Sequence, residues 1–210
     1  MARRRTSGPP RRQRQENPRP ELLVLVEGTK TEDGYLLPLR RDLRDHVIIT
    51  VDTRGGSPLT LVQRAVTAKQ EEDREFHRGR GRAYDAVWCM FDRDIHPNVP
   101  EALALANAHG VHVVMSDPCI ELWFILHFED QTAAIDRHPA QRRSAELLGC
   151  KKNLTATATS RLYELHEDAR SRARALDSKH LADGSPERSN PSSDVWRLID
   201  HARSLHPPTT

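Results

Sequence analysis

The sequence predicts an α/β protein: a mostly parallel sheet flanked by helices, with a mainly helical C-terminal part. Three observations predict it. Four short runs of branched apolar residues recur before Asp117, continuous rather than alternating, as in strands covered on both faces. Helical stretches separate these runs, and such alternation calls for parallel strands joined by crossovers. After about Asp130 the chain turns more polar and its remaining signals are helical.

The elements follow in order. Residues 1–20, rich in Arg, Pro and Gln without periodicity, read as a disordered basic arm. LLVLVE at 22–27 is the first strand, and Thr31 to about Leu43 a helix in which Pro38 is a point of kinking. HVIITVD at 46–52 is the second strand, ended by Gly55-Gly56. Ser57-Pro58 then opens a helix, with serine as cap and proline in the first turn. RGRGR at 78–82 is a loop, YDAVWCMFD at 84–92 the third strand, Pro100 to His109 a helix, and VHVVMS at 111–116 the fourth strand. A helix is expected over 121–129, a loop over 183–193 and a closing helix over 194–204, with Asn190-Pro191-Ser192 as its cap and turn. The organisation expected is therefore the arm 1–20, an α/β core 21–130, and a helical extension 131–210 packed on the core.

Charge is distributed unevenly. Residues 1–20 hold seven arginines against the single acid Glu16, a local charge of +6. The other 190 residues carry 25 basic and 29 acidic groups, a charge of −4. A basic arm on a mildly acidic body suits contact with nucleic-acid phosphates, although such an arm also serves as a solubilising tail. Arginine outnumbers lysine 27 to 5, which reflects base composition as readily as function. Cys89, Cys119 and Cys150 are far apart and form no CxxC pair, so neither a disulfide framework nor a zinc ribbon is indicated. The N-terminus lacks the apolar core of a signal peptide, and the apolar run near 119–128 is too short to span a bilayer. A cytoplasmic protein with reduced thiols and no membrane insertion is expected.

In a parallel α/β sheet, ligands bind just outside the carboxyl ends of the strands. The first strand ends in Glu27-Gly28, the third in Asp92-Arg93-Asp94, and the fourth in Ser116-Asp117-Pro118, with Glu121 within one helical turn. Glu27, Asp92 and Asp94 are hard oxygen donors suited to Mg²⁺ or Mn²⁺. Without a cation, carboxylates so close raise one another's pKa. GTKT at 28–31 suggests a phosphate loop at first sight, but a Walker A loop needs glycine directly before the lysine and another five residues earlier. Thr29 and Val24 stand there instead. The chain contains no G-x-G-x-x-G after the first strand, no H-E-x-x-H and no G-x-S-x-G.

VEG followed two strands later by FDRD resembles the Toprim domain, the metal-binding module of topoisomerases, primases and OLD-type nucleases. The finer resemblance is to RloB-like proteins, a Toprim-related group associated with restriction-modification and phage-abortive-infection loci. VEGTKTEDGY (26–35), VWCMFDRDIH (87–96), SDPCIELWFILHF (116–128) and SNPSSDVWRL (189–198) carry it, across about residues 21–200. The resemblance implies a Toprim/Rossmann-like core in which Glu27 serves acid–base or metal chemistry and Asp92 and Asp94 bind one or two Mg²⁺ or Mn²⁺ ions. Glu121 matches the acid of the P-C-x-E-L-W string and would complete the metal shell or orient water. Its position in the first turn of a helix is also favourable for an acid of no other task.

Lys30, Arg93, Lys151 and Lys152 are the expected contacts to nucleic-acid phosphate, and Glu32 and Tyr35 are expected along the same cleft. Trp123 and Phe124 read as core, and His96 and His127 as structural. The function implied is a metal-dependent nuclease acting on tRNA, other RNA or DNA in antiphage defence, with an AAA-type ATPase as a separately encoded partner. Two alternatives share these residues: a non-catalytic nucleic-acid-binding or sensing module with a vestigial metal site, and a primase-like nucleotidyl transferase.

Overall fold

A computed structural model of the chain describes residues 18–93, 97–151 and 153–205. Most of the basic arm, together with Asp94, His96 and Lys152, therefore lies outside the described residues. The elements run β1 (Glu21–Val26), α1 (Thr31–Asp42), β2 (Ile48–Asp52), α2 (Pro58–His77), β3 (Ala86–Asp92), α3 (Val99–Ala108), β4 (His112–Asp117) and α4 (Ile120–Leu126). They continue with α5 (Arg137–Leu148), α6 (Ala156–Glu164), α7 (His166–Ala182), β5 (Ser192–Ser193) and α8 (Val195–Ser204). The five strands form one sheet in the order β2-β1-β3-β4-β5, parallel except for β5, which is antiparallel to β4. The α/β class and the helical C-terminal part expected from sequence are those observed.

Period-two alternation divides the sheet's side chains between two cores. Leu22, Val24 and Val26 of β1, with Trp88 and Met90 of β3, face the layer built by α1, α4, α7 and α8. Leu23, Leu25, Val87, Cys89 and Phe91 face α2 and α3. Every residue of β3 is buried, which explains why its sequence is a continuous apolar run. Each branched side chain removed from water in this way contributes roughly 1.5–3 kcal/mol.

The connection β1–α1–β2 runs to one side of β1, whereas β2–α2–β3 returns past it to the other side. Helices α1 and α2 accordingly lie on opposite faces. The chain parts company above β1 and β3, and the carboxyl ends of these two strands bound a crevice. Ser57 caps α2 as expected, its side chain accepting from the Thr60 N–H, with Pro58 as first residue. Pro38 lies inside α1, and α4 stops at Leu126, short of the expected 129.

The segment 183–193 differs most from expectation. Its last two residues form β5, with Ser193 registered against Ser116 and Ser192 against Asp117. Asn190 is not a helix cap. Its side-chain amide accepts from the Ile135 N–H (2.9 Å) and donates to the Ile135 carbonyl (2.9 Å). Residue 194, not 190, precedes α8, and it makes no side-chain capping bond. Asn190 thus ties the β5 segment to the chain just before α5. Helix α5 is held from the other side by Ala140 and Leu147, which pack with Cys119 and Ile125.

Replacing Asn190 by alanine leaves both polar groups of the Ile135 backbone without their side-chain partner. Asn190→Ala is expected to lower stability by about 1–3 kcal/mol, read as a lower urea midpoint with an unchanged m-value. An unaltered midpoint would contradict the staple.

Candidate functional site

The turn after β1 is built by two close approaches. A Cβ added at Gly28 would meet Glu32 Oε2 at 2.3 Å, so only glycine lets the α1 carboxylate lie against the turn. Glu32 Oε1 accepts from the Gly28 N–H at 3.1 Å. Gly55, with φ +67°, brings the loop after β2 onto the Glu27 carbonyl; a Cβ there would stand 2.9 Å from that oxygen. Arg64 braces this loop by donating to the Gly55 carbonyl (2.5 Å) and pairing with Asp52 (2.6 Å).

At the end of β1, Glu27 Oε2 accepts from the backbone N–H of Asp92 at 3.0 Å, crossing the gap between β1 and β3. Asp92 is the last residue of β3 and is 9% exposed. Its Oδ1 accepts from the Ile120 N–H at the start of α4 (2.9 Å), and its Oδ2 lies 3.9 Å from Arg137 Nη2. Glu121, in the first turn of α4, faces the same cleft. The cleft has a volume of about 360 Å³, and Lys30, Gln141 and Asn153 complete its wall.

The electrostatics are those of acids short of cations. Burial pushes the Asp92 carboxyl well above the ordinary carboxylate range, and the charges of Glu27, Glu121 and Glu32 add to the shift; Arg137 offsets part of it. Burial also raises Glu32, 6% exposed, against the lowering effect of its backbone hydrogen bonds. Glu32 Oε2 is buried without a hydrogen-bond partner among the described residues. In those residues no three Asp, Glu, His or Cys side chains are grouped closely enough to hold an ion alone. The donor set nevertheless fits a hard divalent cation, since Mg²⁺ takes one or two carboxylates and fills its remaining positions with water and phosphate. The orphaned Glu32 oxygen and the raised Asp92 carboxyl are sites where added positive charge is favourable.

Of the residues expected from sequence, Glu27, Asp92, Glu121, Glu32 and Lys30 meet in this cleft. Asp94 and Lys152 fall outside the described residues. Arg93, expected to face phosphate, points instead to the β4–β5 edge, donating to the Arg188 carbonyl (2.8 Å) and pairing with Asp117 (3.3 Å). The arginine in the cleft is Arg137. Tyr35, expected along the cleft, belongs to the core: its ring packs on Trp123 (6.3 Å, edge-on) and Phe124 (5.5 Å). One helical turn separates it from Glu32, enough to carry it from the cleft floor into the apolar layer. Trp123 and Phe124 are core, as read. His127 is buried, hydrogen-bonded to the Trp123 carbonyl (2.8 Å), and held by burial down to about 3. Lys151 lies on the rim of a neighbouring cavity. Sequence reasoning missed Arg137, Gln141 and Asn153, which no motif marks and which only the fold of the C-terminal part brings to the strand ends.

A family model described as RloB-like protein matches residues 22–201. The chain belongs to the RloB-like protein family. The family match begins in β1 and ends in α8, so it takes in both the acidic cleft and the Asn190 staple. No curated protein and no solved structure matches this RloB-like chain. No helix of its described residues is long and apolar enough to cross a membrane.

A carboxyl raised in the folded state ionises more easily in the unfolded chain, so the stability present at low pH is lost as pH rises through the raised value. Asp92→Asn, which keeps the acceptor for the Ile120 N–H but cannot ionise, is therefore expected to unfold at a higher temperature than wild type in EDTA at about pH 8. The difference should shrink toward about pH 4, the ordinary aspartate range. A lower unfolding temperature for the variant at the higher pH would contradict the crowding of acids.

Proposed function

We propose that this RloB-like protein is a divalent-metal-dependent nuclease that hydrolyses phosphodiester bonds in RNA or DNA. The observation that carries the proposal is the meeting of Glu27, Glu32, Asp92 and Glu121 in one cleft at the carboxyl ends of β1 and β3, with Arg137 facing them. The likeness of VEG and FDRD to the Toprim pair, read from the sequence, supports the same assignment. By that likeness Asp94 joins the set.

Glu27 and Asp92 are the residues that would hold one or two Mg²⁺ or Mn²⁺ ions. Such ions, when bound, neutralise phosphate charge and lower the pKa of water to a usable nucleophile. The residues of the chain do the rest. The Asp92–Ile120 and Glu27–Asp92 hydrogen bonds fix both carboxylates on the rigid ends of strands, so neither rotates away when substrate enters. Glu121, partly exposed on the opposite wall, orients the attacking water and accepts its proton. Arg137 pairs with a non-bridging phosphate oxygen as charge accumulates there. Lys30, exposed at the mouth, takes a flanking phosphate, and the arginine-rich arm adds sequence-independent affinity.

We assign the activity to antiphage defence in the cytoplasm, under control of a separately encoded AAA-type ATPase. This rests on the resemblance to abortive-infection systems and on the lack of a P-loop in the chain itself.

Labelled tRNA and plasmid DNA incubated with Mg²⁺ or Mn²⁺, alone and with lysate of the native locus, test the proposal. Asp92→Ala is expected to abolish cleavage while the protein stays folded, and full metal-dependent activity in that variant would defeat the assignment. Arg137→Ala is expected to lower kcat by about 10²-fold with a smaller effect on KM, the signature of a group acting mainly on transition-state charge. Calorimetry that detects no Mg²⁺ or Mn²⁺ binding would return the chain to a nucleic-acid-binding or sensing module.

A further inference from the structure

A second cavity, of about 600 Å³, opens beside the acidic cleft. Thr31, Glu121 and Gln141 belong to the linings of both, so the two cavities adjoin. Their chemistries differ. The cleft is lined mainly by carboxylates, whereas the second cavity has a largely apolar lining that includes Phe124, Ala145 and Cys150. Its exposed rim carries His138, Arg142 and Lys151. The one acid on that rim, Glu146, is exposed and pairs with Arg143 at 3.0 Å, a guanidinium it shares with Glu129. A cavity of this volume lies within the range of about 300–1,000 Å³ usual for small organic ligands.

We propose that this cavity receives the base of an unstacked nucleotide, and that the substrate is therefore a single-stranded or looped nucleic acid. The inference rests on the nuclease reading of the cleft. With a phosphate among Glu27, Asp92 and Arg137, the base would pass the shared residues Thr31, Glu121 and Gln141 to enter the apolar space beside Phe124 and Ala145. Gln141, on the shared wall, offers both a donor and an acceptor, the pair needed to meet a base edge. Arg142 and Lys151 then lie where the next phosphates pass. A base within a duplex is stacked and paired and cannot enter, whereas a base in a loop or single strand can be splayed into a pocket without that cost.

The test is equilibrium binding in EDTA, where cleavage does not interfere. A short labelled single strand, in RNA and DNA forms, is compared with its blunt duplex and with the same strand made abasic. Wild type is expected to bind the base-bearing strand about tenfold tighter than the abasic one and tighter than the duplex, a factor inside the range of roughly 5- to 150-fold that stacking of one base contributes. Ala145→Trp, which fills the cavity, is expected to remove the preference for bases. Arg142→Glu, an exposed rim change, should weaken all strands and flatten the salt dependence.

Equal binding of abasic and base-bearing strands by wild type overturns the proposal without recourse to any variant. A folded Ala145→Trp that keeps the wild-type preference overturns the location. The RNA and DNA arms distinguish which sugar accompanies the base. Base preference with no cleavage under any metal condition would leave the pocket standing and the nuclease reading fallen. Cleavage without base preference would do the reverse.

Discussion

Four carboxylates share one cleft with one nearby arginine, and two of them, Asp92 and Glu32, are almost wholly withdrawn from water. Like charges in a poorly solvated crevice repel and resist ionisation, and nothing in hydrophobic packing requires them there. The surrounding structure holds them in place all the same. The peptide N–H groups of Gly28, Asp92 and Ile120 each donate to a carboxylate of the cluster, so three backbone segments depend on these side chains for their hydrogen bonds. The site is thus built into the sheet rather than decorating it. Its unfavourable electrostatics are the natural motive for an added cation.

The same constraint explains the architecture around it. The crevice exists because the chain reverses direction across β1, leaving α1 and α2 on opposite faces. Two glycines let the flanking loops close on it, Gly28 by admitting the Glu32 carboxylate and Gly55 by admitting the Glu27 carbonyl. The C-terminal helical part closes the far wall. Asn190 pins the chain at Ile135, α5 begins two residues later, and its first residue, Arg137, faces Asp92. Two strings distant in sequence, one after β4 and one around β5, therefore meet in supporting a single side of the cleft.

Much of this was legible in the sequence, for identifiable reasons. The inner strands β1 and β3 declare themselves because both faces are buried and their runs are almost wholly apolar, and β2 and β4 show shorter apolar runs beside them. Glu27 and Asp92 follow from the rule that ligands sit at strand carboxyl ends, applied to acids that interrupt apolar runs. The misses share a different cause. Strand β5 is two serines, too short to show a period, and it exists only because the β4 edge is available to it. Arg93 is drawn away from the cleft by Asp117, and Arg137 takes its place from a polar stretch rich in arginine, where composition gives no contrast. Tyr35 and Glu32 occupy the same helix, but the boundary between cleft and core falls between them. In each case the deciding partner lies far along the chain, beyond what local pattern can report.

The central claim is that the acids at the ends of β1 and β3 await a divalent cation. Diffraction from crystals grown with Mn²⁺, collected for its anomalous signal, addresses that claim most directly. The account predicts an anomalous peak within coordination distance of the Glu27 and Asp92 carboxylates. An empty cleft under saturating Mn²⁺, or a peak only at surface acids elsewhere, would contradict it.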